Sequence, residues 1–332
     1  PCLLERWLIM GYTNFPNGLT SFGIPLPGAM PAISGKWFFV NGASGSDSNK
    51  GTTISKPVKT LSKAYSLCTS AAGDGICIIS TDTGTSSSTT VYETAVIDWA
   101  KCGITVWGMA APVAFGVRAR VANGTSTQTL AYIVDVQGHN NAFYNVQFAN
   151  WGTDATALSA VKVSGNRNYF GNCYMVCHGA VTKNIRDLWL TGSNNTFVDC
   201  AFGTNTTAVS GAAACNILIN GDGANTCAED YFLRCRTYMY SSANTLAPIY
   251  SAAATSAVGT IIFQDCIFTA VPGSTEPAAV VAGTEFTNTN GIIFLCGCHS
   301  MNIADISAWT ARCFVSGYAT AAGAGGIGTV TT

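Results

Sequence analysis

The sequence predicts an all-β chain folded as a parallel β-helix, on three observations. First, three blocks repeat at a spacing of 27 residues, beginning at Ile133, Ala160 and Asp187. Second, each block contains two alternating apolar runs separated by a Gly/Asn turn, which is typical of strand–turn–strand units. Third, no helical periodicity runs through the blocks, which disfavours the helical repeat folds. A solenoid with one coil per repeat accounts for all three observations.

The repeat places the same residue type at the same point of successive coils. Phenylalanine and cysteine fall on positions that we expect to face the interior. Asparagine falls on the corners, where stacked side-chain amides can form a ladder of hydrogen bonds. The predicted phenylalanine column is Phe143, Phe170 and Phe197. The predicted cysteine column is Cys173, Cys200, Cys235, Cys266 and Cys298. Two asparagine columns are predicted, namely Asn141, Asn168 and Asn195, and Asn145, Asn172 and Asp199.

The chain is expected to divide into three segments. Residues 1–35 are rich in Gly and Pro without periodicity, which predicts an extended N-terminal anchoring arm. Residues 36–315 would form the β-helix, with about ten coils at roughly 27 to 30 residues each. Residues 316–332 form a Gly/Ala-rich tail. The arm is interpreted either as an anchor that docks on a partner or as a flap over the first coil. Its candidate docking residues are Tyr12, Phe15, Phe22, Ile24 and Leu26.

Composition excludes several classes of function. Only 10% of the 332 residues are charged and the net charge is −1, whereas globular proteins average about 25% charged residues. Nucleic acid is not expected as a partner because the sequence has no basic stripe, and no apolar run is long enough to predict a membrane span. The 14 cysteines are predicted to be buried free thiols, since stacked coils give poor disulfide geometry. Free thiols imply assembly in a reducing cytoplasm.

One local motif is recognisable in residues 37–64, which read WFFVNGASGSDSNKGTTISKPVKTLSKA. This segment resembles the opening of pectate-lyase-like right-handed β-helix proteins. The resemblance implies a right-handed solenoid whose first coil is closed by a short helix ending near Leu67. Residues 10–28 are similar to the opening of uncharacterised tailed-phage proteins encoded among virion genes. Together the two resemblances imply a phage virion β-helix protein, the group that contains tailspikes and capsid spikes or decorations.

No catalytic constellation emerges from the sequence, and no metal or cofactor is predicted. The densest polar cluster is interpreted either as a glycan site or as a solvated loop with local ion pairs. It consists of Glu229, Asp230, Arg234 and Arg236. Most aromatic residues are expected on inward columns, so a sugar-stacking platform is not predicted.

The leading hypothesis is therefore a non-enzymatic virion structural protein, a capsid decoration or spike protein attached by its N-terminal arm. Its expected partners are two further copies of itself in a homotrimer and the major capsid protein or another virion protein. Its expected location is the virion, assembled in the host cytoplasm. The alternative hypothesis is a tailspike-type receptor protein that binds or cleaves a host surface glycan.

Overall fold

The computed structural model describes residues 20–21, 24–25, 33–80, 89–117, 119–220, 226–251, 259–283, 291–305 and 313–316. These residues form 27 strands and one short helix, α1 (Leu61–Leu67). In chain order the strands are β1 (Thr20–Ser21), β2 (Ile24–Pro25), β3 (Trp37–Val40), β4 (Gly75–Ile79), β5 (Val91–Glu93), β6 (Ile97–Trp99), β7 (Thr105–Met109), β8 (Arg120–Asn123), β9 (Val134–Val136), β10 (Ala142–Tyr144), β11 (Gln147–Asn150), β12 (Ser159–Val163), β13 (Tyr169–Gly171), β14 (Tyr174–Cys177), β15 (Arg186–Leu190), β16 (Thr196–Val198), β17 (Ala201–Gly203), β18 (Cys215–Ile219), β19 (Asp230–Leu233), β20 (Arg236–Met239), β21 (Ala247–Ser251), β22 (Gly259–Gln264), β23 (Ile267–Ala270), β24 (Val281–Gly283), β25 (Gly291–Cys296), β26 (His299–Met301) and β27 (Cys313–Ser316).

From β3 onward the strands build three parallel sheets, and the chain visits them in turn. Sheet 1 contains β3, β4, β7, β10, β13, β16, β19, β22, β25 and β27. Sheet 2 contains β5, β8, β11, β14, β17, β20, β23 and β26. Sheet 3 contains β6, β9, β12, β15, β18, β21 and β24. The fold is thus a right-handed parallel β-helix, as predicted.

The number of coils is lower than the predicted ten. A complete coil needs a strand in each sheet, and the shortest sheet has seven strands. The described ends of the solenoid explain the difference, since three of the ten strands of sheet 1 lack a described strand in one or both of the other sheets, namely β3, β25 and β27. The prediction of about ten coils was wrong because it assumed that every repeat unit closes a full coil.

The inward columns follow the predicted 27-residue register. Phe143 pairs with Phe170, and Phe170 with Phe197, in parallel strands of sheet 1. Their rings stack with centroids 4.9 Å apart at both steps, and the stack continues to Phe232 at 4.5 Å and Phe263 at 4.4 Å. All five rings are fully buried. Burying such rings supplies much of the hydrophobic stabilisation of the core.

The cysteine column is confirmed as a column of free, buried thiols. Each sulfhydryl donates to a backbone carbonyl of the preceding coil, for example Cys200 Sγ to Phe170 O at 3.3 Å and Cys235 Sγ to Phe197 O at 3.4 Å. The thirteen described cysteines are all free. Burial raises the pKa of the Cys77 thiol to about 12, so this side chain remains an unreactive thiol.

The first asparagine column forms the predicted ladder. The backbone amide and Nδ2 of Asn141 both donate to Asn168 Oδ1, at 3.0 and 3.2 Å. Asn168 donates to Asn195 Oδ1 in the same way. Asn195 in turn donates to Asp230 Oδ1, at 2.8 and 3.2 Å. The ladder is therefore one step longer than predicted, and its last member is a carboxyl group.

The helix α1 closes the first described coil, as the resemblance implied. Thr60 is its N-cap and accepts a hydrogen bond from Lys63 N, and Glu93 Oε1 accepts from Leu61 N at 2.7 Å. These bonds satisfy backbone donors that the first turn leaves without intrahelical partners. Leu61 and Ala64 are buried beneath the helix, which shields the end of the core from solvent.

The arm and the tail fall mostly outside the described residues. Of the candidate docking residues, only Ile24 belongs to a described element, β2, which pairs antiparallel with β1. The other four lie outside the described residues, namely Tyr12, Phe15, Phe22 and Leu26. Within the described part of the chain, no helix has the length and hydropathy required to span a bilayer.

Candidate functional site

A groove of about 400 Å³ lies on the outer face of sheet 2. Three adjacent strands, β8, β11 and β14, place Arg120, Gln147 and Tyr174 in one register column. Strand alternation turns these side chains outward while their neighbours face the core. The same groove is also lined by Trp151 and His178, which directly follow β11 and β14 in the chain. Five side chains from three coils therefore converge on one depression.

The segment between β7 and β8 closes one end of the groove. Its Phe115 ring packs edge-on against Tyr174, with centroids 5.6 Å apart, and against Tyr238, at 4.3 Å. The space for Phe115 exists because β17 presents Ala201 and Gly203 outward. A Cβ atom on Gly203 would lie 2.0 Å from Tyr238 O, so glycine is required there.

The groove contains one arginine, Arg120, and a second arginine lies in the same outward column of sheet 2. Arg120 Nε donates to Gln147 Oε1 at 2.9 Å, which fixes the orientation of the guanidinium group. Arg236 occupies the same outward column on β20, four strands away, or roughly 19 Å at about 4.8 Å per strand. Among the described strands of sheet 2 the only carboxylate is Glu93, which is buried beneath α1. The outward positions of these described strands thus include two arginines, Arg120 and Arg236, and no Asp or Glu.

His178 is the group in the groove best suited to accept a proton. Its ring meets Trp151 edge-on, with centroids 6.2 Å apart, and its Nδ1 atom is buried without a hydrogen-bond partner in the described structure. Burial first, and the charge of Arg120 second, lower the pKa of His178 below its usual 6.5. The imidazole is therefore neutral at neutral pH, the form that acts as a general base.

A smaller cavity of about 20 Å³ lies beside the groove and is lined by Asp187, Asn216 and Gly203. Asp187 accepts hydrogen bonds from Cys177 N and Asn216 Nδ2, both at 2.8 Å. Burial raises the pKa of Asp187 to about 8. Because Cys177 directly precedes His178, this carboxyl group fixes the backbone that carries the imidazole into the groove.

The four residues of the predicted polar cluster lie in different surroundings. Asp230 is buried in the asparagine ladder, whereas Arg234 forms an exposed ion pair with Asp199 at 2.8 Å. Glu229 lies at the turn into β19. Only Arg236 reaches the outer face of sheet 2, on which the groove lies. The described residues also contain no group of three His, Cys, Asp or Glu side chains placed to hold a metal ion.

Sequence reasoning missed the groove itself. Arg120, Gln147 and Tyr174 are each 27 residues apart, so the repeat did contain the signal. The inward columns were visible because they repeat one residue type, whereas this outward column changes type at every coil. Rings that line the groove, such as Trp151 and Tyr174, were not anticipated because aromatic residues were mostly assigned to the interior.

Comparisons with known proteins agree with this architecture. No family model and no curated protein matches the chain. Among solved structures, a rhamnogalacturonan lyase is 18% identical with a TM-score of 0.51, covering 80% of this chain and 68% of its own. A pectin methylesterase from Aspergillus niger is 14% identical with a TM-score of 0.52, covering 87% and 82%. A pectate lyase is 15% identical with a TM-score of 0.51, covering 86% and 78%. At these identities the likeness is one of fold, namely the pectate-lyase-like right-handed parallel β-helix.

The comparisons contradict the leading sequence hypothesis. The matched structures named above are enzymes that process pectic polysaccharides, so the expectation of a non-enzymatic capsid decoration or spike was wrong. That expectation relied on the 27-residue register, the charge-poor surface and the apolar N-terminal arm, together with the lack of a persuasive catalytic constellation. The alternative hypothesis, a protein that binds or cleaves a glycan, agrees better with the matched structures and with the groove on sheet 2.

Proposed function

We propose that this chain is a carbohydrate-active enzyme that binds an acidic polysaccharide along the outer face of sheet 2 and cleaves it by β-elimination. The observation that carries the proposal is the groove itself, in which Arg120, His178 and two aromatic rings converge. The names of the matched lyases support the same class of substrate, a polymer that contains uronate units.

The arginine and the aromatic surface of the groove suit a polysaccharide with carboxylate groups as the substrate. A uronate polymer carries a carboxylate on each uronate unit, and Arg120 offers a planar guanidinium group that suits a carboxylate. Trp151, which is partly exposed, supplies aromatic surface for the apolar C–H face of a sugar ring, and the buried Tyr174 lies beside it in the lining of the groove. Arg236 extends the cationic column beyond the groove, so a chain of several units would meet positive charge at both ends.

The side chains in the groove select the reaction. Hydrolysis of a glycosidic bond ordinarily uses two carboxyl groups on either side of that bond. The described residues that line the groove include no Asp or Glu. They do include a neutral imidazole beside a cation, which is the combination needed to remove a proton next to a carboxylate.

Cleavage begins with the removal of a proton next to the uronate carboxylate. His178 takes the proton from C5 of the uronate, while the charge of Arg120 stabilises the negative charge that builds up on the carboxylate. The C4–O bond then breaks, a C4=C5 double bond forms, and the departing oxygen takes a proton from water. His178 afterwards loses its proton to water, which restores the neutral base.

A panel of acidic polysaccharides tests this proposal. Polygalacturonate, alginate and hyaluronan would be incubated with the protein, and the ultraviolet absorbance of the new conjugated double bond followed over time. We expect cleavage of at least one of these polymers and none of neutral dextran. His178→Ala should lower kcat by at least about a hundredfold, because general base catalysis contributes about 10² to 10⁴.

Two matched control variants distinguish the loss of a groove side chain from the general effects of replacing a histidine or an arginine. His299→Ala removes an exposed histidine from β26 of the same sheet and should leave kcat unchanged. Arg167→Gln removes an exposed arginine from a turn before β13 and should leave KM unchanged, whereas Arg120→Gln should raise KM. Equal effects of His178→Ala and His299→Ala would contradict the assigned role of His178.

We further propose that the protein is a tailspike-type component of a phage particle and that its substrate is a host surface glycan. The support is the similarity of residues 10–28 to tailed-phage virion proteins. In this setting the chain would form a homotrimer and attach to another virion protein. Immunogold labelling of purified particles, together with analytical ultracentrifugation of the isolated protein, tests the location and the oligomeric state.

A further inference from the structure

A second groove, of about 380 Å³, lies on the outer face of sheet 1. Trp107 on β7 and Tyr144 on β10 are register neighbours, and Tyr169 on β13 lies in the adjacent column. The Tyr144 and Tyr169 ring centroids are 5.2 Å apart. Three partly exposed rings on successive coils thus line this groove, and we call this surface the sheet 1 platform.

Gly171 makes the sheet 1 platform possible. It follows Tyr144 in the register column of sheet 1, where any side chain would project outward between the rings. A Cβ atom at Gly171 would lie 2.8 Å from Tyr169 Cε1 and 3.3 Å from Tyr144 Cδ1. The two tyrosine rings therefore extend across the space above Gly171 instead of standing apart from each other.

Polar groups border the platform along the corner between sheets 1 and 2. Asn145, Asn172 and Asp199 all line the groove. Asn172 Nδ2 donates to Asn145 Oδ1 at 2.8 Å, and Arg234 donates to both carboxylate oxygens of Asp199 at 2.8 Å. The ion pair is electrically neutral as a unit, so this border offers hydrogen bonds without a net charge.

We propose that the sheet 1 platform is a second saccharide site, specific for uncharged hexopyranose units. A pyranose ring presents an apolar C–H face to the aromatic rings and equatorial hydroxyls to Asn172 and the Asp199–Arg234 pair. Apolar rings with a few convergent polar groups, in a cavity of about 300 to 1,000 Å³, are the usual composition of small-ligand sites. The balanced charge distinguishes this site from the cationic groove on sheet 2.

The two grooves share one wall. In the segment between β7 and β8, Ala110 and Pro112 line the sheet 1 platform, whereas Phe115 and Gly116 line the groove on sheet 2. A polysaccharide with neutral and acidic units could therefore contact both surfaces. The second site does not depend on cleavage, because its ligand would bind even if the sheet 2 groove were catalytically inert.

An array of neutral hexose oligosaccharides tests the proposal, followed by calorimetric titration of the best ligand. Tyr144→Ala and Tyr169→Ala should each weaken binding by about tenfold, as expected when an aromatic contact worth about 1.4 kcal/mol is lost. Tyr144→Phe should retain affinity because it keeps the ring. Tyr250→Ala, which removes an outward tyrosine from β21 of sheet 3, is the matched control and should change affinity by less than about twofold.

Three results would each overturn the proposal. The first is that no neutral oligosaccharide binds the wild type, and the second is that binding is the same in Tyr144→Ala and Tyr250→Ala. The third is that Tyr144→Ala disrupts self-association, which would assign the platform to contacts between copies of the chain. Cleavage of acidic polymers should be unchanged in Tyr144→Ala, so failure of this proposal and failure of the proposed lyase activity give different results.

Discussion

At the scale of single residues, the chemistry of the groove rests on His178 and Arg120. Arg120 has two effects, since it offers a charge to a substrate carboxylate and helps to lower the pKa of His178. Asp187 lies one step further from the groove and acts by holding Cys177 N, the backbone group just before His178. A cation, a neutral base and a positioning carboxyl group form a connected set, although none of them stood out in the sequence.

The pH dependence of cleavage should report on His178. Only the neutral imidazole accepts a proton, so kcat/KM should rise with pH on the acid side. The midpoint of this rise should lie below pH 6.5, and kcat/KM should level off above it. Arg120→Gln removes one of the two causes that lower this pKa, and the midpoint should move upward toward 6.5. Rate measurements between about pH 4 and 8 would show the shift. Identical midpoints in the wild type and the variant would contradict the coupling.

Asp230 should make stability depend on pH. Burial raises its pKa from 3.8 to about 8, so the folded chain holds this proton more tightly than the unfolded chain. The stabilising contribution is fully present below the unfolded pKa and is lost as pH rises through the folded pKa, at up to about 1.4 kcal/mol per pH unit.

Asp230→Asn should remove this pH dependence. An amide at this position still accepts the two hydrogen bonds from Asn195 but does not ionise. Urea unfolding should therefore show that the variant is more stable than the wild type near pH 8 and similar to it near pH 4. Parallel stability profiles for the two proteins would show that Asp230 is not buried in the way described. Cleavage activity should be the same in both.

At the scale of elements, the sequence predicted what faces inward and missed what faces outward. The Asn141–Asn168–Asn195 ladder could be derived because every coil must satisfy the same buried corner with the same residue type. The groove could not be derived in this way, since each coil contributes a different outward side chain. Its end wall depends on Phe115, whose segment follows no repeat and reaches over β17 only in the folded chain.

A substitution in the glycine column tests how closely the backbones of successive coils approach each other. Gly138, Gly165 and Gly192 share one position, and a Cβ atom on Gly165 would lie 2.0 Å from Gly138 O. Gly165→Ala should therefore force the coils apart and destabilise the fold by about 1 to 3 kcal/mol or more. Gly124→Ala is the control, because its nearest neighbour would be 3.5 Å away, and it should change the stability by less than about 0.5 kcal/mol. Equal midpoints of urea unfolding would refute the close contact.

At the scale of the whole molecule, the low charge content was a poor guide to function. A value of 10% charged residues averages over three faces that differ in character. Sheet 2 has Arg120 and Arg236 on its outer surface, while the border of sheet 1 balances Asp199 with Arg234. The distribution of charge among the faces, which depends on the register of the coils, is what supports a glycan as the ligand.

The thiols offer a test of the fold as a whole. Of the thirteen described cysteines, ten are buried and three are partly exposed. In the native protein a thiol reagent should therefore modify the described buried thiols only slowly, and all of them should react at once in denaturant. The same number of reactive thiols should be found with and without prior reduction. A higher number after reduction would reveal disulfides and contradict the free thiol column.

The activity proposed for sheet 2 is the cleavage of an acidic polysaccharide by elimination. The most direct test is the mass of the oligosaccharides released from polygalacturonate, or from whichever uronate polymer is cleaved. Elimination predicts products with an unsaturated non-reducing end, lighter by one water than the products of hydrolysis, and their absence in His178→Ala. Saturated products would contradict elimination, and the absence of products from every uronate polymer would contradict the proposed activity itself.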